Sequence, residues 1–397
     1  MRNGKFLAAL VFVFAIGLWG CKKGNKTTDL IDNGNIGGTT YTGDILVQTP
    51  NLPSSPYNYA NITFPNYLTV PPIAGQDNTP NNNTITNAGA TLGRVLFYDK
   101  NLSYNNKVAC GSCHLQTHGF SDPEVLSKGF EGGNTGRNSM GLINAKYYPN
   151  GKFFWDERAA TLEEQTLMPI QDHVEMGMNL DTLVNKLGRI SYYPDLFQKA
   201  FGDKTITSDK VSKALAQFVR SIVSFNSKYD AGRASFPANT PPAQLGDFSN
   251  FTVQENRGKT LFFTTAGCAP CHGTETFTSP RAENNGLDLT TVDSGVGRIT
   301  GTPADVAKFK VPSLRNVELT APYMHDGRFK TLAEVIEHYS NGVQAHPTLS
   351  PPLRVGGPNG QPKQLNLSNA DMSALVGFLK TLTDNTVAAE AKYSTPF

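Results

Sequence analysis

Cys110-Gly111-Ser112-Cys113-His114 and Cys268-Ala269-Pro270-Cys271-His272 decide how this chain is read. In each stretch two thiols stand three residues apart and a histidine follows at once. That is the spacing by which a chain carries a c-type haem: two thioethers form on the vinyl groups and the adjacent imidazole swings onto the iron. Two C-x-x-C pairs could otherwise be two short disulfides or a four-cysteine zinc site, but neither use calls for His114 or His272. The sequence therefore predicts two covalently bound haem c groups, one on Cys110, Cys113 and His114 and one on Cys268, Cys271 and His272.

Working outward, both motifs have the same preface. Gly258-Lys259-Thr260-Leu261-Phe262-Phe263 precedes the second as Gly93-Arg94-Val95-Leu96-Phe97-Tyr98 precedes the first, so helix, loop and haem site form an internal repeat. The fold class expected is mainly α, with two cytochrome-c-like haem domains and long connecting loops, over residues 85–245 and 246–397. Val211, Leu215, Phe218, Ile222 and Phe225 fall on one face of a long helix that Ser208-Asp209 can cap, closing the first domain. Residues 236–250, with Pro237, Pro241 and Pro242 and Gly/Asp turn signals nearby, read as the interdomain linker. A helix opening at Ser368, with Asp371 as capping partner, buries Leu375, Phe378, Leu379 and Leu382 and closes the second.

The 397 residues are 39% hydrophobic and 17% charged, an ordinary globular composition with room for two cores. A net charge of +2 is too small to suggest a nucleic-acid partner. Met1-Arg2-Asn3-Gly4-Lys5 is basic, and residues 6–19 form an apolar run shorter than the ~20 residues that span a bilayer. Residues 1–20 therefore read as an export signal. Leu18-Trp19-Gly20-Cys21 looks like a lipobox, which assigns the fifth cysteine to lipid and places the protein in the periplasm, anchored to a membrane through Cys21. Residues 21–84, with much Asn, Thr, Gly and Pro, read as a tether and an irregular N-terminal arm.

Several further stretches, Gly136-Arg137-Asn138-Ser139, Phe153-Phe154-Trp155-Asp156-Glu157-Arg158-Ala159, residues 165–176, Val311-Pro312-Ser313-Leu314-Arg315-Asn316-Val317 and Ala321-Pro322-Tyr323-Met324-His325-Asp326-Gly327, strongly resemble the bacterial dihaem cytochrome c peroxidases and their relative MauG. The resemblance runs from about residue 87 to 383. It implies a peroxidatic first haem, an electron-transfer second haem, hydrogen peroxide as substrate and a small cytochrome c or cupredoxin as donor, with a homodimer as one possible assembly. A MauG-like oxidase acting on protein side chains is the alternative activity, and a dihaem electron carrier the non-enzymatic one.

Within the resemblance, Glu175 falls on the catalytic carboxylate and Gln165 on its pocket partner. Peroxide must lose a proton to bind iron and its far oxygen must gain one to leave, so one placed acid/base serves both steps. Thr161 and Glu164 form a capping box for the helix carrying Gln165, which Pro169 is expected to end. Trp155 matches the tryptophan between the haems. Tyr339 falls at the distal ligand of the second haem, inward on a helix with Leu332, Val335 and Ile336, and Met324 is its rival. The peroxidases' distal histidine has no counterpart in residues 126–137, so the first iron is expected to be open at rest. His118 reads as a loop residue and His338 as solvated or structural. Asn138, Thr320 and Pro322 match the calcium ligands, the latter two through carbonyls. Arg158, Arg315 and His325 occupy positions where haem propionates could be paired.

Overall fold

Two glycines set the architecture. A Cβ on Gly93 would lie 1.9 Å from the Ala214 carbonyl oxygen, and a Cβ on Gly258 would lie 1.9 Å from that of Ala374. Helix Asn87–Tyr98 thus crosses helix Ser208–Ser221 at backbone contact, and helix Val253–Phe263 crosses helix Asn369–Lys380 in the same way. Only glycine permits such an approach. Phe218 and Phe378, each four residues past the touched alanine, fill the same place in the two crossings. The repeat read in the sequence is therefore a repeat of packing.

The computed structural model describes residues 45–357 and 359–397, together with Met1 and a strand pair at Asn35–Ile36 and Thr39–Thr40. Apart from Met1, the expected export signal and Cys21 lie outside the described residues. The fold is mainly helical, and sheet is confined, among the described residues, to three two-stranded antiparallel pairs. One core gathers Leu92, Leu96, Phe97, Leu215 and Phe218. The other gathers Phe262, Phe277, Leu375, Phe378 and Leu382.

These cores do not divide the chain at residues 245 and 246. Val387 and Tyr393 belong to the first core, whereas Tyr229 belongs to the second. The tail is clamped by its own backbone: Tyr98 Oη donates to Tyr393 O, Arg94 Nε to Ser394 O and Tyr59 Oη to Lys392 O, each at 2.6 Å. The N-terminal arm has little regular structure but is no loose tether after residue 45, since Tyr59, Tyr67 and Ile73 are buried.

Three local readings need correction. Helix Ser208–Ser221 is capped by Thr207 and stops before Ile222, and Phe225 instead joins Phe64 and Tyr147 in a third cluster. Residues 236–250 are no free linker, because Phe248 is buried and Lys259 Nζ donates to the carbonyls of Leu245 and Gly246. Pro169 lies inside helix Leu162–Gln171 and does not end it. With no N–H, Pro169 merely leaves the Gln165 carbonyl without its helical donor.

Candidate active site

Each haem motif sits on one short helical turn, Cys110–Cys113 and Ala269–His272. All four thiols are free, and none of the described cysteines is in a disulfide. His114 Nδ1 lies 2.8 Å from Phe120 O and His272 Nδ1 2.8 Å from Phe277 O. A carbonyl there takes the Nδ1 proton and leaves Nε2 with its lone pair, the form in which imidazole ligates a metal. Burial favours the neutral ring in both cases, lowering the pKa of His114 and pushing that of His272 down to about 4.

A cavity of about 780 Å³ opens beside His114 and Cys113. Gln165, Glu175 and Trp155 line it, as do Asn138, Thr320 and Pro322, so the fold brings these expected site residues to one space. His114 is the only described histidine on its wall; His118 is half-buried and lines a separate cleft. The carboxyl of Glu175 is pushed up to about 7 by burial, helped by the Asp172 carboxylate and opposed by Arg158. Its backbone is fixed: Asp172 Oδ1 accepts from the N–H groups of Val174 (2.8 Å) and Glu175 (3.1 Å), and Phe130 N donates to Glu175 O at 3.0 Å.

Trp155 lies at the seam. Its Nε1–H donates to Asn138 O at 2.8 Å, its carbonyl accepts from Lys310 N at 2.8 Å, and its ring meets His325 edge-on at 6.5 Å. Asn138 in turn donates through Nδ2 to the carbonyls of Glu124 (3.1 Å) and Val125 (3.2 Å), and Asn138 N donates to His325 O.

A family model described as di-haem cytochrome c peroxidase matches residues 87–235, and one described as cytochrome c matches residues 255–383. The methylamine utilization protein MauG of Methylophilus methylotrophus is 32% identical over 318 residues, which cover 79% of this chain and 87% of that protein. The cytochrome c551 peroxidase of Nitrosomonas europaea is 32% identical over 304 residues, 74% of this chain and 79% of that one. Among solved structures, a MauG-like protein associated with microbial copper homeostasis superposes with a TM-score of 0.67 at 32% identity, covering 80% of this chain and 95% of that one. This chain belongs to the dihaem cytochrome c peroxidase and MauG family.

As a member of that family it is an oxidoreductase of the peroxidase type with two c-type haems. The residues present fit those groups. Beyond the free thiols and neutral imidazoles, Arg315 Nη2 on the cavity wall is buried and has no hydrogen-bond partner among the described residues. Such a donor costs roughly 1–3 kcal/mol if left unmet, and a propionate carboxylate would meet it. The other Arg315 nitrogens are taken, Nη1 by Asp230 at 2.9 Å and Nε by Glu275 O at 2.8 Å.

At the second haem site of this peroxidase, Tyr339 does not lie on the helix expected for it. That helix ends at Glu337, and His338–Gly342 form a π-helical turn, a distortion often found at functional sites. Burial pushes the Tyr339 phenol up to about 12, with Cys271 and Cys268 close enough to add to the effect. His338 is buried and structural, its Nε2 3.0 Å from Asn285 O.

Sequence reasoning missed an ionic junction on the cavity rim. The buried Asp156 carboxylate pairs with Arg137 (2.7 Å), Arg158 (2.9 Å) and Arg298 (2.8 Å), and Arg137 also holds Asp293 at 2.7 and 2.9 Å. Burial pushes Asp156 up, but the three guanidinium groups outweigh it and hold the carboxyl below its ordinary value. Arg137 and Asp156 stand in the quoted motifs, yet their partners Asp293 and Arg298 are more than a hundred residues away and carry no local signal.

Proposed function

We propose that the protein reduces hydrogen peroxide to water at the first haem, with two electrons and two protons consumed per peroxide. Electrons enter at the second haem from a small cytochrome c or cupredoxin. The observation that carries this reading is the one cavity that Glu175, Gln165 and His114 line together. Cys110, Cys113 and His114 would hold the first haem, and Cys268, Cys271, His272 and Tyr339 the second. When bound, the first haem supplies the iron at which the O–O bond is split and the second stores and delivers electrons.

Glu175 takes the proton of incoming peroxide and returns it to the departing oxygen, and a carboxyl titrating at about 7 suits both duties near neutrality. The Gln165 amide can orient peroxide by donating to one oxygen. Trp155, bonded through its indole to Asn138 and through its carbonyl to Lys310, is the relay between the haems. Steady-state peroxide consumption with a reduced small cytochrome c tests the reading, and turnover no faster than with the haem-free protein would reject it.

A second reading, a MauG-like oxidase of protein side chains, is favoured by Tyr339 at the expected ligand position. It predicts peroxide-dependent modification of a protein substrate in the absence of any external donor, with poor turnover of reduced cytochrome c.

Three further assignments rest on the sequence. Asn138, with the carbonyls of Thr320 and Pro322, would hold one calcium ion, the hard oxygen set such an ion prefers. Cys21 would carry lipid, and the protein would work in the periplasm as a monomer or homodimer tied to a membrane. No described helix is long and apolar enough to cross one. Release of a Cys21→Ser variant from the membrane fraction would support the anchor, and its retention there would exclude it.

A further inference from the structure

Asn285 lies between the two candidate ligands of the second haem. Its Nδ2 is 3.4 Å from Tyr339 Oη and 3.4 Å from Met324 Sδ. A primary amide has two N–H groups on that nitrogen, so one side chain can address both atoms at once.

The main chain that carries this amide is tied to the segment that bears the tyrosine. Asn285 O is 3.0 Å from His338 Nε2, and Gly286 O accepts from Gln344 N at 2.8 Å. Gly286 has φ +69, and a Cβ there would meet Val343 Cγ1 at 2.7 Å, so the turn closes tightly on the segment that follows Tyr339. Asn284 Nδ2 donates to Thr348 Oγ1 at 2.9 Å. Met324 arrives from elsewhere, on a loop where Tyr323 N donates to Phe329 O, with φ +75 at Met324 itself.

The two acceptors differ in what they gain. A thioether sulfur is a weak acceptor, whereas a phenolate oxygen carries charge, and hydrogen bonds to charged acceptors are about twice as strong as neutral ones. An amide donor in reach of both therefore favours the state in which the tyrosine ligates and the thioether does not. We infer that Asn285 is a positioning residue that selects Tyr339 over Met324 as the distal ligand of the second haem. The choice matters because an anionic oxygen ligand favours the ferric state, whereas a thioether raises the reduction potential. This inference rests on the reading of Tyr339 as ligand, and the experiment separates the two.

The test uses the full-length protein with both haems attached. Near-infrared absorption and electron paramagnetic resonance identify the ligand of the ferric low-spin haem, and spectroelectrochemistry gives its potential. The unaltered protein should show a phenolate-ligated haem, unchanged in Met324→Leu. Asn285→Ala should gain the thioether-to-iron charge-transfer band and a more positive potential, and adding Met324→Leu should abolish that band. Asn285→Asp, which keeps the shape and loses both N–H groups, should behave as Asn285→Ala does and guards against a variant that misfolds. Asn285→Gln, which restores a donor, should recover the phenolate signature. If both variants kept the phenolate spectrum and the original potential, the selector would be refuted and the tyrosine ligand would stand. If the unaltered protein showed a thioether band that Met324→Leu removed, the ligand reading itself would fall, and the inference with it.

Discussion

The indole N–H of Trp155 donates to the main-chain carbonyl of Asn138 at 2.8 Å. Trp155 O accepts from Lys310 N at the same distance, so one residue is bonded to a loop at Asn138 and to the short strand Phe309–Lys310. The main chain is thus anchored on one side and the indole N–H on the other, which holds the ring at the seam.

Trp155→Phe should leave both haems attached and slow oxidation of the reduced second haem by peroxide. A slowing of at least ~10-fold, which corresponds to about 1.4 kcal/mol on the barrier, is expected. Stopped-flow spectroscopy of the half-reduced protein reads this directly, and an unchanged rate would remove Trp155 from the path.

Glu175→Gln should slow peroxide cleavage by ~10²–10⁴-fold, the range for a general acid/base. In the unaltered protein kcat/KM for peroxide should rise with pH through about 7, because the carboxylate is the form that accepts the proton. Stability should move the other way. The folded carboxyl keeps its proton above the ordinary value of 4.5, so folding stability is lost as pH rises from there through about 7. Thermal unfolding should therefore show Glu175→Gln gaining on the unaltered protein at pH 8 and level with it at pH 4.

Arg137→Leu should destabilise the fold by about 3 kcal/mol, the low end for a broken buried ion pair, because Asp293 retains partial exposure. Burial pushes the Asp293 carboxyl up, but Arg137 and the Gly295 N–H outweigh it and hold it at about 2. That stability is complete above the unfolded value of 3.8 and is lost as pH falls through about 2. The gap between variant and unaltered protein, measured by denaturant unfolding, should thus be full at pH 6 and shrink below pH 4.

The fully ferric protein should react with peroxide without prior reduction, showing one high-spin and one low-spin haem at rest. The ground is that His114 is the only described histidine on the cavity wall. Two low-spin haems that ignore peroxide until an electron is added would show that another side chain closes the first iron.

Exhaustive chelation should lower activity and loosen the seam around Asn138, with recovery on adding calcium. Full activity in protein shown by elemental analysis to hold no calcium would exclude that site.

How much of this was legible beforehand depends on how far apart the partners lie in the chain. The haem motifs, their repeated preface and the capping of helix Leu162–Gln171 by Thr161 are written within a few residues, because thioether spacing, helix periodicity and capping are local rules. Gly93 and Gly258 could be seen as a pair, but that each admits the backbone of a helix over a hundred residues later is visible only once the helices cross. The same holds for the Arg137 junction with Asp293, the tail around Tyr393 and the contacts of Asn285 with Tyr339 and Met324. Sequence by itself determined which groups are carried and on which residue types. Tertiary structure alone decided their neighbours, since burial, hydrogen-bond partners and ion pairs depend on distances that loop closure sets and no local pattern encodes.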